Sequence, residues 1–579
     1  MTGLRVQIAS FNANLQGADA TRPDLTPWLV PAVHQPAIDN LASSSTPATK
    51  PSSPLPAHHF RSTNPNTPSS HPSLPREAPD FYAVGFQELV PLHSGFAATS
   101  GLALYNTDLD IRKTLRPHQA VVSGNGMYAE AHLGGGPESY ALLCRVDLVG
   151  IALFVYARER PPFAAAPKKA SAASRVKEIR KATVGTGLGG LMGNKGAVGV
   201  RLVVASPDGT GQDEVLTFVT AHLAAHDHNV ERRNTDWRQI VQRLVFEPSS
   251  VSRLPIVQDA NVKTSPTNLD ALQQQYHAAN PASSKAKIDR TPRPLDTRSY
   301  TLYDSTHLFV FGDLNHRIAL GPTSVPGASS AQPLTKQRLA SLLDSKDWAS
   351  LQPHDQLTQQ RLASSAKAFH ALTEVSIAEM NVPPTYKYKV VRDGEGTPSK
   401  KQKKAGKAAA AAAAAASAPG QELSTKRIPG WTDRVLWASA AAAGPSSDAA
   451  ATYDKQGVEV ELFRSVMEMT HSDHKPVTTL LQLPRPNGKA GNAPPLLSSH
   501  NPYPPLSAPH RYILSLIGFL LDRAVGYLWT AIILLGGGNL IGGAVEVVVL
   551  GAITAWWLSR GGGEGGGDLS WWIYGSSRS

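Results

Sequence analysis

An α/β sandwich interrupted by polar insertions is the fold class this sequence predicts. Three observations predict it. Apolar runs of strand length recur along the chain, a stretch with helical apolar spacing lies among them, and wide gaps between the runs mean they can pair only non-locally. The chain has 579 residues with 41% hydrophobic content, more length than one core needs, and 45 Pro and 47 Gly are gathered largely in segments without apolar periodicity.

In order, residues 4–11 alternate like a half-buried strand, and residues 42–76, rich in Ser, Pro and Thr, read as a disordered insertion. A short apolar run follows at 81–86. Residues 140–156 form two apolar runs about Asp147, the pattern of a hairpin. Strands are expected at 196–204, 214–220 and 306–311, a helix over 334–351, and late strands at 435–437 and 476–483. Two further insertions are expected at 248–294 and 394–424, the second carrying Lys400, Lys401, Lys403 and Lys404 before a long alanine run.

The net charge of +11 suits an anionic partner, either nucleic acid or an acidic membrane surface, and charge alone does not choose between them. Cys144 is the one cysteine, so no intramolecular disulfide forms, as in a reducing compartment. Residues 1–12 are too polar for a secretory signal, and a cytosolic catalytic part is expected. Toward the C-terminus, residues 485–509 read as a Pro-rich linker. Residues 510–560 read as a hydrophobic membrane anchor of one or two spans, and 561–579 as a Gly-rich tail. The apolar runs of that anchor are broken by Asp522-Arg523 and contain Glu546, and each such charge costs about 2.5–3.5 kcal/mol at a bilayer centre.

Five polar clusters sit at or just after apolar runs, where a sheet presents chemistry: Asn12 with Asn14, Gln87-Glu88, His222 with His226, Gly312-Asp313-Leu314-Asn315, and Ser472-Asp473-His474. Singly, each is ordinary; a lone His after a strand is more often structural. Together they answer what phosphate ester hydrolysis requires: a cation on the phosphate, an oriented water and donors to the developing charge. The hard oxygen ligands Asn12 and Glu88 suit Mg²⁺. Asp313 is a proton acceptor for water and Asn315 its positioner. His222 and His474 are donors to phosphoryl oxygens, with Asp433 orienting His474.

The order and spelling of the motifs then resemble a known family. Phe311-Gly-Asp-Leu-Asn-His-Arg-Ile318, Pro429-Gly-Trp-Thr-Asp-Arg-Val-Leu436 and His471-Ser-Asp-His-Lys-Pro-Val477 are similar to signatures of inositol polyphosphate 5-phosphatases. Blocks at 10–14, 85–89, 192–198 and 221–226 match as well, so the resemblance spans about residues 4–483. It implies a catalytic domain over 1–484 on a four-layer α/β sandwich, two packed mixed sheets flanked by helices. The implied activity is Mg²⁺-dependent removal of the 5-phosphate of phosphatidylinositol 4,5-bisphosphate. Asn12, Glu88, Asp313, Asn315 and His474 would be shared with nucleases of the wider superfamily. Asn194 and Lys195, and then Tyr386, Lys387 and Arg427 as 4-phosphate readers, are the inositide-type features.

Departures from the family pattern are Thr425 where Lys is usual, Gly430 in place of Ala, and His316 in place of an aromatic. The tail resembles that of tail-anchored fungal members, which implies an endoplasmic reticulum membrane with the catalytic domain in the cytosol. The expected partners are a phosphoinositide lipid and an anionic membrane surface; neither nucleic acid nor an obligate protein partner is expected. Alternative readings are a superfamily nuclease acting on abasic nucleic acid and a weakly active inositide-binding membrane tether.

Overall fold

The computed structural model describes residues 3–15, 22–30, 78–115, 139–159, 171–207, 211–248, 296–325, 332–362, 368–369, 372–389, 422–424, 427–440, 457–486, 488–489, 491–536 and a few positions between 545 and 555. The expected insertion at 42–76, most of those at 248–294 and 394–424, the Gly-rich tail, and Thr425 with Lys426 lie outside the described residues.

Eleven strands are described: β1 (Arg5–Asn12), β2 (Phe81–Gln87), β3 (Ser139–Leu148), β4 (Ile151–Glu159), β5 (Val176–Gly185), β6 (Gly196–Val204), β7 (Glu214–His222), β8 (His307–Asp313), β9 (Asp433–Ser439), β10 (Glu459–Ser465) and β11 (Val477–Gln482). The helices are α1 (Thr26–Leu29), α2 (Leu92–Phe96), α3 (Gly101–Thr114), α4 (Val230–Arg243), α5 (Lys336–Asp344), α6 (Trp348–Leu351), α7 (Gln356–Leu362), α8 (Ile377–Met380) and α9 (Ala508–Leu535). The strands form a six-stranded sheet in the order β10-β11-β1-β2-β4-β3 and a five-stranded sheet in the order β5-β6-β7-β8-β9.

Each sheet is antiparallel except for one internal parallel pair, β1 with β2 and β7 with β8. The main core lies between the sheets, where Val6, Ile8, Phe81 and Leu153 meet Val200, Phe218, Phe309 and Phe311. A second apolar layer over the six-stranded sheet joins Ala9, Phe11 and Phe86 to Trp28 of α1 and Leu104 and Ile111 of α3. A third, over the five-stranded sheet, joins Val219 and Val310 to Trp237 and Ile240 of α4. These are the four layers expected from the sequence.

That layering corrects one local reading. The alternation of residues 4–11 does not mark a half-exposed strand, because β1 is buried on both faces. Its polar Gln7 is anchored inside through its amide nitrogen, which donates to the Leu29 carbonyl and to Thr478 Oγ1. The β3–β4 turn also falls two residues later than Asp147, at Val149-Gly150. The expected helix over 334–351 is broken into α5 and α6 by Lys346 at positive φ and by Asp347, whose carboxylate caps α6.

The sheets approach closely at Gly85 of β2. A Cβ there would lie 2.5 Å from Thr220 Oγ1 and 2.6 Å from the Phe311 ring. Two residues on, Gln87 donates to Thr220 Oγ1 across the same gap at 3.0 Å. The C-terminal ends of both parallel pairs therefore emerge side by side.

The segment expected as a linker is laid against the domain. Gln212 and Gly488 exchange hydrogen bonds, Leu497 is buried beneath Ser305, and Leu506 N–H donates to the Gln242 carbonyl. This path delivers α9 to the folded domain.

Candidate active site

Register places the chemistry. Asn12 ends β1 opposite Gln87 of β2, and Glu88 follows at positive φ, turning out of the strand. On the other sheet, His222 pairs with Asp313, and Asp313 pairs with Asp433. His474 lies just before β11. The buried cluster therefore gathers side chains from both sheets, out of segments as far apart as residues 12 and 474.

Asp313 is its centre. Its Oδ2 accepts from Asn12 Nδ2 at 3.0 Å and lies 3.3 Å from His222 Nε2 and 3.8 Å from His474 Nε2, while Oδ1 accepts from the Asn315 N–H at 3.0 Å. Burial disfavours its charge, yet His474, His222 and Lys195 outweigh burial and hold the carboxyl well below the usual carboxylate range.

Burial likewise opposes charging His474, but Asp433 and Asp313 prevail and raise it to about 10. Its Nδ1 bonds Asp433 Oδ2 at 3.0 Å. Burial and the nearby Asp313 lift the Asp433 carboxyl against the pull of His474, so the two shifts draw the shared proton in opposite senses. The proton belongs on the imidazole, because a second carboxylate, Asp313, faces its other nitrogen. His222 behaves oppositely: burial, then Lys195, lower its pKa, and it stays neutral with Nε2 against the Lys195 amine. Burial also lowers Lys195, against Asp313 and Glu88.

Asn315, at positive φ, is braced at both ends of its amide. It donates to the Leu223 carbonyl at 3.0 Å and accepts from Arg317 at 3.0 Å. Arg317 was not among the residues singled out from sequence. It lies in the quoted motif two positions after Asn315, stacks 4.4 Å over the Tyr386 ring and is almost fully buried. Tyr386 in turn packs against the His474 imidazole, ring centres 4.4 Å apart, and exchanges backbone hydrogen bonds with Gly430.

Lys387 sits at the rim, half-buried, with its amine 2.6 Å from Asp473 Oδ2. Burial would lower that amine, but Asp473 raises it. Asp473, expected among the catalytic groups, is thus the counter-ion of Lys387. Arg427 is exposed and close enough to His226 to depress its pKa, after burial. Asn194 Oδ1 is buried with no hydrogen-bond partner among the described residues, beside Gly187.

Two departures from the family pattern have structural reasons. A Cβ at Gly430 would lie 2.6 Å from Arg317 Cα, so only glycine fits that close approach. His316 is fully buried, held neutral chiefly by burial, and lies edge-on to Phe369 at 5.8 Å, so it serves as an aromatic spacer.

For a divalent cation, the donor set divides. Asp313, Asp433 and His474 bring three ligand atoms within 4.8 Å of one another. There, however, a cation would compete with an imidazolium already bonded to Asp433. Glu88 is only part-buried, its Oε1 is 3.8 Å from His222 Nε2, and with Asn12 beside it on the next strand it offers hard oxygens outside that triangle. These two residues fit an oxygen-seeking divalent ion.

Among known proteins, mouse type II inositol 1,4,5-trisphosphate 5-phosphatase is 25% identical over 414 residues, covering 72% of this chain and 27% of its own. Human synaptojanin-1 is 24% identical over 362 residues, covering 62% of this chain and 14% of its own. The chain thus spans about a quarter or less of these relatives' lengths. A solved inositol polyphosphate 5-phosphatase domain of a synaptojanin, in complex with inositol (1,4)-bisphosphate and calcium, aligns at 19% identity and TM-score 0.43 over 90% of this chain and 91% of its own. The family model described as endonuclease/exonuclease/phosphatase family 2 matches residues 10–480, from the strand that carries Asn12 to the one that follows His474, and the chain belongs to that family.

Proposed function

We propose that this chain removes the 5-phosphate of an inositol phosphate, with phosphatidylinositol 4,5-bisphosphate as substrate and Mg²⁺ as the cation. One observation carries the reading: an anionic Asp313 held between two histidines, with Lys195 against one of them, beside a rim carrying Lys387 and Arg427. A nuclease needs the first half of that arrangement; a compact polyphosphorylated ring also needs the second. The name of the mouse relative points the same way.

The reaction exchanges the phosphorus–oxygen bond to the ring for one to water; one proton leaves the water and one reaches the ring oxygen. Asp313 takes hydrogen from the attacking water, and Asn315, fixed through Leu223 and Arg317, keeps that water in place. The His474 imidazolium donates to a phosphoryl oxygen, with Asp433 fixing its ring. His222 and Lys195 line the opposite side. Bound at Glu88 and Asn12, a divalent ion would neutralise phosphoryl charge. Lys387, Arg427 and Tyr386 read the 4-phosphate, the phosphate replacing Asp473 as partner of Lys387. The same reading places the catalytic part at a cytosolic membrane face, with the endoplasmic reticulum as the expected membrane.

The test is phosphate release from phosphatidylinositol 4,5-bisphosphate with Mg²⁺ and then with EDTA. Release that EDTA abolishes is expected. No cation-dependent release from any inositide would sink the reading, and faster cleavage of an abasic-site duplex would favour the nuclease instead.

A further inference from the structure

The helix α9 is long and apolar enough to cross a membrane, but the residues at its middle are committed elsewhere. Gly518, Asp522 and Gly526, one turn apart, are its buried residues. The Gly193 N–H donates to Asp522 Oδ1 at 3.1 Å and lies 3.2 Å from Oδ2. Arg523 donates to the Phe96 carbonyl. A Cβ on Gly518 would lie 2.6 Å from the Leu191 carbonyl oxygen, and one on Gly526 would lie 2.4 Å from Ala97 N. Trp529 packs with Phe96, Val149 and Met192.

We propose that α9 is a docked, in-plane membrane helix, fastened to the catalytic domain by its Gly518-Asp522-Gly526 stripe and presenting its opposite face to a lipid bilayer, with Asp522 as a positioning residue for the 193–195 loop. Three arguments support this. A spanning helix would put Asp522 and Arg523 at mid-bilayer, and with them the backbone of Phe96 and Gly193, which belongs to the folded domain. The uncovered face is apolar along its whole length: Tyr512, Leu516, Phe519, Leu520, Leu528 and Leu534 are all exposed. The chain's charge of +11 complements an anionic headgroup surface.

The docking floor is also part of the site's frame. Gly193 is two residues from Lys195. Glu88 precedes α2, and Leu89 N–H donates to the Gly150 carbonyl in the turn beneath Trp529. The bilayer surface and the site entrance are thus held in one rigid unit, rather than joined by a tether.

The inference rests in part on the phosphatase reading, and the experiment separates the two. Full-length protein is bound to phosphatidylcholine vesicles carrying phosphatidylinositol 4,5-bisphosphate, with spin labels on Ile513→Cys or Leu534→Cys; Cys144 is buried and leaves the labelling clean. Both labels should lie at equal, shallow depth. A depth difference approaching the 21-residue axial separation, about 30 Å, would mean a span and overturn the proposal. Gly526→Leu, which makes the helix more apolar while blocking its seat, and Asp522→Ala should each speed amide exchange across 191–195 about tenfold and cut turnover of vesicle substrate about tenfold. Unchanged exchange in both variants would refute the docking. If the native protein releases no phosphate from lipid or soluble substrate, the phosphatase reading fails, while depth and exchange still decide where α9 lies.

Discussion

The buried centre of the site and its basic rim are built on different terms. At the centre, Asp313 is engaged through both oxygens, Asn315 through both ends of its amide, and His474 through Asp433 and the Tyr386 ring. At the rim, Lys387 has one carboxylate partner, and Arg427 stands exposed. A cross-braced centre fixes geometry before substrate arrives. A rim of long, lightly held cations can exchange its partner for a phosphate. The centre should therefore govern rate, and the rim should govern which phosphates are recognised.

Asp313→Asn tests the centre most severely. Turnover should fall on the order of 10²–10⁴-fold, the usual worth of a positioned acid or base, on every substrate alike. Circular dichroism should show the fold retained. A loss confined to 4-phosphorylated substrates would break the division.

Asp433→Asn comes next. The folded His474 is raised to about 10 from about 6.5, so the stability its charge contributes is full below about pH 6.5 and is lost as pH rises through about 10. Losing Asp433 should move the alkaline limb of the pH–rate profile toward neutrality by more than one unit and lower thermal stability mainly below that limb. An unmoved limb would mean the imidazolium is not the group that titrates.

For the rim, Lys387→Ala and Arg427→Ala should each cost about 1.5–3 kcal/mol in kcat/KM on substrates that carry the 4-phosphate, and much less on those that lack it. Equal losses on both would show that these cations only steer charge. The smallest effect belongs to His316→Phe. An apolar ring in that neutral buried position should leave kcat unchanged and shift stability by no more than about 1.5 kcal/mol, read as a small change in melting temperature.

Much of the centre was legible in the sequence, because several of its residues end runs apolar enough to announce a strand. Asn12, His222 and Asp313 fall there, and parallel pairing then brings them level. Strands buried less fully were not legible. In β5, Lys177, Glu178 and Lys181 interrupt the apolar pattern, and β10 is a half-exposed edge strand. The helix α4 hid for the opposite reason: Arg233 and Asp236 look like solvated charge, but both are buried. Arg233 donates to the Ala224 and His226 carbonyls and to Gln356. No helical periodicity predicts such burial, since the acceptors are carbonyls of the preceding loop and the distant Gln356. Arg317 was overlooked for the same reason. The seat of α9 was equally invisible, because Asp522 in an apolar run reads as a flaw until Gly193 is placed beside it.

Gly85 gives the site a property that loops could not. The metal-binding candidates Asn12 and Glu88 ride on one sheet and the acid–base group on the other, so the distance between them is the thickness of the seam between two stiff plates. At Gly85 that seam leaves no room for a Cβ. The active site thus has a fixed gauge, set by a residue with no side chain. Connections of any length can run around the plates without altering it. The corollary is that one methyl group at position 85 would press on both plates at once, against Thr220 and Phe311, although it touches none of the groups proposed to react.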